Sequence, residues 1–390
     1  MHRRAFLKTG GTAVAGLAVA GCLPHAAASP APSLPLRRRF VDLVPVDASW
    51  DRVIRTTVGL RPYRDSGFML AAEKLDEKTV IHNYGHGGAG WSLSWGTGYL
   101  ATELALAHTE RRAAVIGCGA VGLTTARQLQ RHGFEVTIYA KALPPETTSN
   151  MSWAGFTPVS GLFAADHRTP QWDAQFRRAI EIAYREHQLL VGSHYGVFWL
   201  DEYFTMNGPN ATGGRGGGSS LEAGLSGPPL LPPSLNLGRT VLAPGEHPFA
   251  SPYAARVAAM RFEPGMYLDA LMRDVLTFGG RIVVRSFDTK QDLMSLPETL
   301  IVNCTGLGAK ALFGDEELTP VKGQLTLLVP QPEVTYSVAG MTPRSDGIAL
   351  GHVSQKGVWS MDVDEDERKK VVDRAIAFFR SMRAPGQASS

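Results

Sequence analysis

The sequence predicts an α/β fold, and three stretches predict it. In the first, the apolar run Ala113 to Ile116 breaks into Gly117-Cys118-Gly119-Ala120-Val121-Gly122; a helical pattern carrying Leu123, Ala126 and Leu129 follows, closing at Gly133, and Phe134 to Tyr139 reads as the next strand. In the second, Thr79 to Asn83 reads as a buried strand, Gly85, Gly87, Gly88 and Gly90 open a turn, and Trp91 to His108 reads as a helix. In the third, Leu300 to Val302 is a short apolar strand ending in Asn303-Cys304-Thr305-Gly306-Leu307-Gly308. Strands that end in glycine turns and lead into helices are the pattern of a sheet with its ligands at one end.

The first stretch is the most informative. A bare GxGxxG is weak evidence, but this one lies between a strand and a helix, the context a dinucleotide requires. Gly117 allows the tight turn, Gly119 lets backbone approach a pyrophosphate, and Gly122 lets helix pack on strand. The helix N-terminus then offers free N–H groups and a favourable dipole to the phosphates. The alternative is a glycine turn without a ligand. The glycines before Trp91 pose the same choice, and four around one helix start favour a ligand over packing.

The chain has 390 residues, enough for two domains and a large core. Its net charge of +3 comes from scattered basic residues, so nothing asks for nucleic acid. At the N-terminus, Arg3-Arg4-Ala5-Phe6-Leu7-Lys8 precedes a soft apolar stretch, Gly10 to Gly21, and looks like a twin-arginine export signal, a route that carries folded proteins. Val19-Ala20-Gly21-Cys22 looks like a lipobox, in which Cys22 would be lipidated; otherwise Cys22 only follows a cleavage site. The apolar stretch is too short and too glycine-rich to span a membrane. The expectation is an exported, periplasmic or cell-envelope protein, held by lipid at Cys22. The other cysteines, Cys118 and Cys304, sit in glycine turns and read as buried thiols, neither metal ligands nor nucleophiles.

The rest follows in order. Leu23 to Pro35 reads as a tether, and Arg37-Arg38-Arg39 as a solvated charge run, the alternative being contact with anionic lipid near an anchor. Thr147, Thr148 and Ser149 offer hydroxyls to a phosphate or ribityl chain, or cap a helix. Gln171 to Leu190 reads as a helix with His187 on its core face, where a satisfied core histidine is expected rather than a catalyst. Asn207 to Ser234 is glycine- then proline-rich and reads as a flexible insertion without chemistry. Met266 to Phe278 reads as a helix, Arg281 to Phe287 and Leu325 to Val329 as strands, Tyr336 as part of a loop, Gly347 to His352 as a strand, and Asp364 to Met382 as a helix.

Three stretches resemble the D-amino-acid oxidase family of flavoenzymes: the nucleotide turn with Thr147-Thr148, the Asn303-Cys304-Thr305-Gly306 turn, and GLRPYR followed by IHNYGHGG, the most specific of them. The resemblance runs from Val53 to Gly351 and excludes the glycine-rich insertion. It implies a Rossmann-like FAD-binding domain and an α+β substrate domain with a mixed, largely antiparallel sheet. Residues 59–157 and 269–318 would form the first, and 47–58, 158–268 and 319–385 the second, after an export signal at 1–22 and a linker at 23–46. In the family the nucleotide turn comes first and the RPxR block last; here the block precedes the turn. This looks like a circular permutation with its new join at Thr109 to Arg112, and it requires the helix ending near Met382 to lie close to Trp50.

The resemblance assigns roles residue by residue. Gly117, Cys118, Gly119, Ala120, Val121 and Gly122 would hold the FAD pyrophosphate. Thr147, Thr148, Ala154, Gly155 and Phe156 would line the ribityl chain and flavin, and Gly87, Gly88, Ala89, Gly90, Trp91 and Ser92 the pyrimidine end. Phe287 would meet adenine through its backbone. Arg61 matches the arginine that grips the substrate carboxylate, and Tyr336 a tyrosine on the active-site lid touching the same group. The implied reaction is oxidation of a D-amino acid by hydride transfer from Cα to flavin N5, with no side-chain base, giving the 2-oxo acid, ammonia and peroxide; oxygen would be the acceptor, or a quinone.

Two departures from the family leave alternatives open. The second lid tyrosine is replaced by Gly340 and Met341, so glycine, secondary amines or acidic D-amino acids are alternative substrates, and a silent flavin-binding module is the rival of another class. At the end of the nucleotide unit, Lys141 stands near where a ribose-binding carboxylate is expected, which keeps NADP as a minor alternative to FAD.

Overall fold

A computed structural model describes residues 40–211, 229–235, 238–351 and 353–383. The arginine pair, Cys22, the tether, Arg37 to Arg39 and most of the glycine-rich insertion lie outside the described residues. In chain order the elements are β1 (Val53–Tyr63), β2 (Met69–Leu75), β3 (Lys78–Tyr84), α1 (Gly90–Leu106), β4 (Arg112–Ile116), α2 (Ala120–Arg131) and β5 (Glu135–Ala140). Then come α3 (Pro170–Leu189), β6 (Val197–Met206), β7 (Thr240–Leu242), β8 (Tyr253–Phe262), α4 (Pro264–Thr277), β9 (Arg281–Val284), α5 (Lys290–Met294) and β10 (Leu300–Asn303). The rest are α6 (Gly308–Phe313), β11 (Thr319–Leu328), β12 (Tyr336–Val338), β13 (Met341–Arg344), β14 (Gly347–Leu350), β15 (Gln355–Lys356) and α7 (Glu365–Arg380).

Six strands form one sheet in the order β2-β3-β10-β4-β5-β9, parallel except for the antiparallel edge strand β2. Its strands read as unbroken apolar runs because both faces are covered: Val80, Ile81, Val115, Ile301 and Val302 are wholly buried. Strand β10 lies between β3 and β4, with Val302 opposite Ile81 on one side and Val115 on the other. This order brings the three glycine turns to the same, carboxyl, end of the sheet. Two glycines inside α1 allow close helix contacts. A Cβ on Gly96 would stand 1.8 Å from the Ala179 carbonyl oxygen of α3, and one on Gly98 would stand 3.1 Å from Thr125 Cα of α2.

The other sheet runs β1-β11-β14-β13-β12-β6-β8-β7, with β15 also on β11; all its pairs are antiparallel except β12 with β6. Helix α7 packs its apolar stripe, Val371, Val372, Ala375 and Phe379, with Tyr203, Tyr336, Val338 and Leu350 of this sheet. The mixed, largely antiparallel second sheet is thus present. Two expected domain boundaries fall inside single elements, however. Strand β1 is continuous through residues 58 and 59, and α4 through 268 and 269.

The ends of the described chain meet. Trp50 Nε1 donates to Asp373 Oδ1 of α7 at 2.9 Å, and the Tyr336 hydroxyl donates to the Val44 carbonyl at 2.8 Å and lies 3.8 Å from Met382 Sδ. Some extents differ from expectation. The strand from Arg281 stops at Val284, the one at Leu325 begins already at Thr319, and the loop expected at Tyr336 is β12. The insertion is not free at its proline end, because Leu230 and Leu235 are buried in the main core.

Candidate active site

A cavity of about 1740 Å³ opens at the carboxyl ends of the parallel strands and is closed on its other side by the nine-stranded sheet. Its walls include Gly87, Gly90, Gly117, Gly119, Thr148, Phe156, Phe287 and Arg61. The glycine turns at residues 87 and 119 therefore face one space, and Arg61 faces it with them.

The nucleotide turn is built as the sequence suggests, with one refinement. Gly117 has φ of 115°, and a Cβ there would stand 2.5 Å from the Cys304 carbonyl oxygen; one on Gly122 would stand 2.1 Å from the Gly117 carbonyl oxygen. Both glycines are demanded by protein packing that draws β4, α2 and β10 together. Gly119 is different: a Cβ there would meet only the Ser149 hydroxyl, at 3.0 Å, so its open side is the cavity. The N–H of Ala120 already donates to Ser149 Oγ at 3.0 Å, which places that hydroxyl at the mouth of α2. Cys118, Ala120 and Val121 complete this wall. Burial pushes the Cys118 and Cys304 thiols up to about 12, so both stay protonated and inert, as expected.

The segment after β5 runs along the cavity. Thr147, Thr148, Ala154, Gly155 and Phe156 all border it, and Ala154 holds φ of 54° where the chain turns in toward β8. Thr147 Oγ1 is engaged with Asn150 Oδ1 at 2.8 Å, the local reading of this hydroxyl. At the far end Phe287 borders the cavity, edge-on to Tyr139 and beneath the Arg285 guanidinium. Lys141 also lies on this wall, exposed.

At the α1 end the expectations divide. Gly87, Gly88, Gly90 and Trp91 border the cavity; Ala89 and Ser92 do not. Both are fully buried, and the Ser92 hydroxyl accepts from Thr157 N at 2.7 Å, so it steadies the neighbouring segment instead. Gly87 and Gly88 are glycines for packing: a Cβ would meet the Gly161 oxygen at 1.8 Å and the Ser160 oxygen at 2.5 Å. Trp91 donates through Nε1 to Ser152 Oγ at 2.6 Å, fixing its ring at the wall.

Arg61 borders the same cavity. It stands on β1 opposite Val321, and its guanidinium lies over Gly323, where a Cβ would be 2.7 Å from Nη2. Glycine at 323 is what leaves room for the planar fork. Burial alone pulls the Arg61 pKa down, and no carboxylate of the described residues lies within 4.0 Å of its nitrogens. An arginine in this state stays ionised. It is a desolvated cation in a cavity wall without a counter-charge, and it fits a carboxylate in two-point contact.

Tyr336 does not join it. Strand β12 turns the ring onto the α7 face of the sheet, buried, with its hydroxyl held by the Val44 carbonyl. The expected lid is also absent in this part of the chain. Ala339 and Gly340, with φ of 51° and 79°, form a two-residue turn joining β12 to β13, with Val338 opposite Met341.

Four wall features escaped the sequence reading. Glu202 of β6 and Arg261 of β8 form an ion pair at 2.8 Å on the cavity wall, and Arg261 is almost fully buried. Gly323, Trp359 and Met361 also border it. Glu202 and Arg261 lie on strands with no local signal; in the ladder Arg261 is opposite Phe198 and Glu202 opposite Val257, so the ion pair depends on the arginine reaching along the neighbouring strand.

The family profile described as "DAO: FAD dependent oxidoreductase" matches residues 4–104 and 112–389. The chain belongs to this family. It is an FAD-dependent oxidoreductase, and the glycine cradle, the α2 N-terminus and the length of the cavity suit that cofactor. Among curated relatives, the D-amino-acid oxidase of Rubrobacter xylanophilus is 26% identical over 281 residues, spanning 70% of this chain and 78% of that protein. The D-aspartate oxidase of Homo sapiens is 27% identical over 288 residues, spanning 70% and 76%. Among solved structures, glycine oxidase from Bacillus cereus is similar with a TM-score of 0.49 and 14% identity, covering 70% of this chain and 80% of that one.

Proposed function

We propose that the protein oxidises a D-amino acid to the 2-oxo acid and ammonia, with oxygen reduced to hydrogen peroxide. The observation that carries the proposal is Arg61, an unpaired, partly desolvated cation in the cavity that holds the dinucleotide turn. An amino acid meets that need with its carboxylate. The resulting pair of parallel hydrogen bonds would fix the substrate in one orientation, and with it the direction of the Cα–H bond. FAD, when bound, supplies the acceptor for the hydride leaving Cα. Gly323 leaves room for the guanidinium against β11, and the rings of Trp91 and Phe156 contribute apolar surface to the same cavity. Glu202 of β6 is engaged by Arg261 and offers the amine no free counter-charge; the amine would react neutral, its lone pair supporting departure of the hydride. Water then adds to the imine carbon and ammonia leaves.

The test is anaerobic addition of D-alanine, L-alanine, glycine, N-methylglycine and D-aspartate in turn to the purified, flavin-loaded protein. Bleaching of the visible flavin band by D-alanine is the expected result. Reduction by light but by none of these substrates would leave only a flavin-binding module.

Two further readings belong to the proposal. The permuted order is supported by the meeting of Trp50 with α7 and by the gap at residues 105–111 between the two parts of the family match. Export with lipid at Cys22 rests on the sequence of residues 3–22 alone; the mass of the mature protein tests it.

A further inference from the structure

We infer that the loop from Gly357 to Asp362 determines which amino acids enter, and that Trp359 and Met361 on it select large apolar side chains. The inference rests on the carboxylate-binding role proposed for Arg61. Its basis is register. Arg61 of β1 is opposite Val321 of β11, and Val321 is opposite Lys356 of β15. These three residues form one row across adjacent strands, roughly 5 Å per step. The loop leaves directly from the end of that row.

Its two feet are fixed on β11 to either side of Val321. Gly357 N donates to the Pro320 carbonyl at 2.8 Å, and Lys322 Nζ donates to the Asp362 carbonyl at 2.6 Å. Behind the second foot, Asp364 N and carbonyl are both held by the Gln324 amide. The loop is therefore a braced arch one strand away from the carboxylate site. On it, Trp359 is 53% exposed and Met361 56% exposed, and both border the cavity. Two large apolar side chains left half in water at the rim of a binding cavity gain most from an apolar ligand group that covers them.

A neighbouring stretch of wall agrees. The Ala339–Gly340 turn borders the same cavity and joins the loop's stem, since Gly351 N donates to the Gly340 carbonyl at 2.9 Å. Neither residue offers a hydroxyl or a charge, and both are small, so this stretch of wall leaves room for an apolar group. An acidic side chain would need a second cation. Arg261 is committed to Glu202, and Arg285 and Lys141 stand by Phe287 at the other end of the cavity, which leaves Arg374 of α7, whose Nη2 makes a 3.5 Å contact to the Gly351 carbonyl. Arg374 is the rival determinant, and the experiment includes it.

The probes are phenylacetate and acetate, which share the carboxylate and differ by the ring. Their dissociation constants are read from the visible spectrum of the oxidised, flavin-loaded protein. In the wild-type chain phenylacetate binds more tightly. In the double variant Trp359→Ala/Met361→Ala that preference falls about tenfold, the scale of one lost aromatic contact with its buried area. The ratio of kcat/KM for D-phenylalanine to that for D-alanine falls by a similar factor, through KM, and Trp359→Phe recovers most of it. A double variant that keeps its flavin and moves neither ratio by more than twofold overturns the inference. So does a preference for D-aspartate that Arg374→Gln removes. If neither carboxylate perturbs the wild-type spectrum, the Arg61 reading itself fails and the inference falls with it.

Discussion

Replacing Arg61 by leucine separates its two energetic roles. Leucine keeps an apolar side chain beside Val321 and Gly323 and removes the charge. Truncating one partner of a buried, hydrogen-bonded charge pair costs about 2–5 kcal/mol, so kcat/KM for D-alanine should fall by roughly 30-fold to several thousand-fold. Because the same contact orients Cα–H, the loss should appear in kcat as well as KM. The free protein should respond in the opposite sense. Its guanidinium is desolvated without a counter-charge, and removing such a group gains on the order of 1 kcal/mol, a rise in Tm of about 1–2 °C for a chain of this size. Acetate should raise the Tm of the wild-type chain by mass action and leave the variant's unmoved. The assay is a pair of thermal melts with and without acetate beside steady-state kinetics on flavin-loaded protein. A variant that melts lower, loses flavin, or retains more than a tenth of kcat/KM would refute the argument and make Arg61 a structural cation.

Three further outcomes are expected. Tyr336→Phe should leave KM for D-alanine within twofold of the wild-type value and cost about 1 kcal/mol of stability, the worth of its hydroxyl bond to the Val44 carbonyl; a large rise in KM would restore Tyr336 to the active site. Burial pushes the His86 imidazole down to about 3 and that of His187 down to about 4, from 6.5 in the unfolded chain. Their contribution is fully present above pH 6.5, and below it the unfolded state binds protons that the folded state refuses. Stability should therefore fall by up to about 1.4 kcal/mol per pH unit per histidine as pH drops from 6.5 toward 5, and His187→Gln should remove its share of the slope; a flat denaturant midpoint across this window would contradict the assignment. A chain beginning at Arg111, running to Arg383, joined by a short glycine-serine linker to Asp47 and ending at His108 should fold and bind flavin with an unchanged visible spectrum; an insoluble product would count against the permutation.

The legible parts of this protein are those in which a short segment contains its own reason. Gly122 is required by a contact within its own strand–turn–helix unit, the Gly117 carbonyl oxygen, and the φ of 115° at Gly117 is likewise a local demand, so their spacing announces them, although the Cys304 carbonyl that also crowds Gly117 belongs to another strand. Helix α3 carries Phe176, Ile180, Ala183 and His187 on one buried face, and the period is visible in the sequence. His187 is the core histidine expected, bonded to the Trp91 carbonyl at 3.0 Å. Tyr336 was misplaced because side-chain facing in a strand has a period of two. Nothing within β12 says which face meets α7 and which meets the cavity. Trp359 and Met361 were invisible for a similar reason: their significance comes from Lys356 standing in a row with Arg61, a pairing between segments almost 300 residues apart.

The same distinction explains why the permuted order proposed above would leave the site intact. The pocket needs β10 between β3 and β4, so that the turns after Tyr84, Asn303 and Ile116 open side by side. None of those neighbours is joined to the next by a tight connection that the sheet depends on. Helix α1 and a short link carry the chain from β3 to β4, and α5 and its flanks lead into β10. The ladder hydrogen bonds, the buried valines and the dipole of α2 are indifferent to which strand is made first. Cutting the chain after α7 and closing it before β4 therefore changes the entropy of the connections and leaves the enclosing walls as they are. What such a permutation would change is where new freedom appears. The first and last described elements meet at Trp50 and Asp373, on the α7 side of the nine-stranded sheet, so fraying at the ends would loosen the α7 face before it loosened the cavity wall at Arg61.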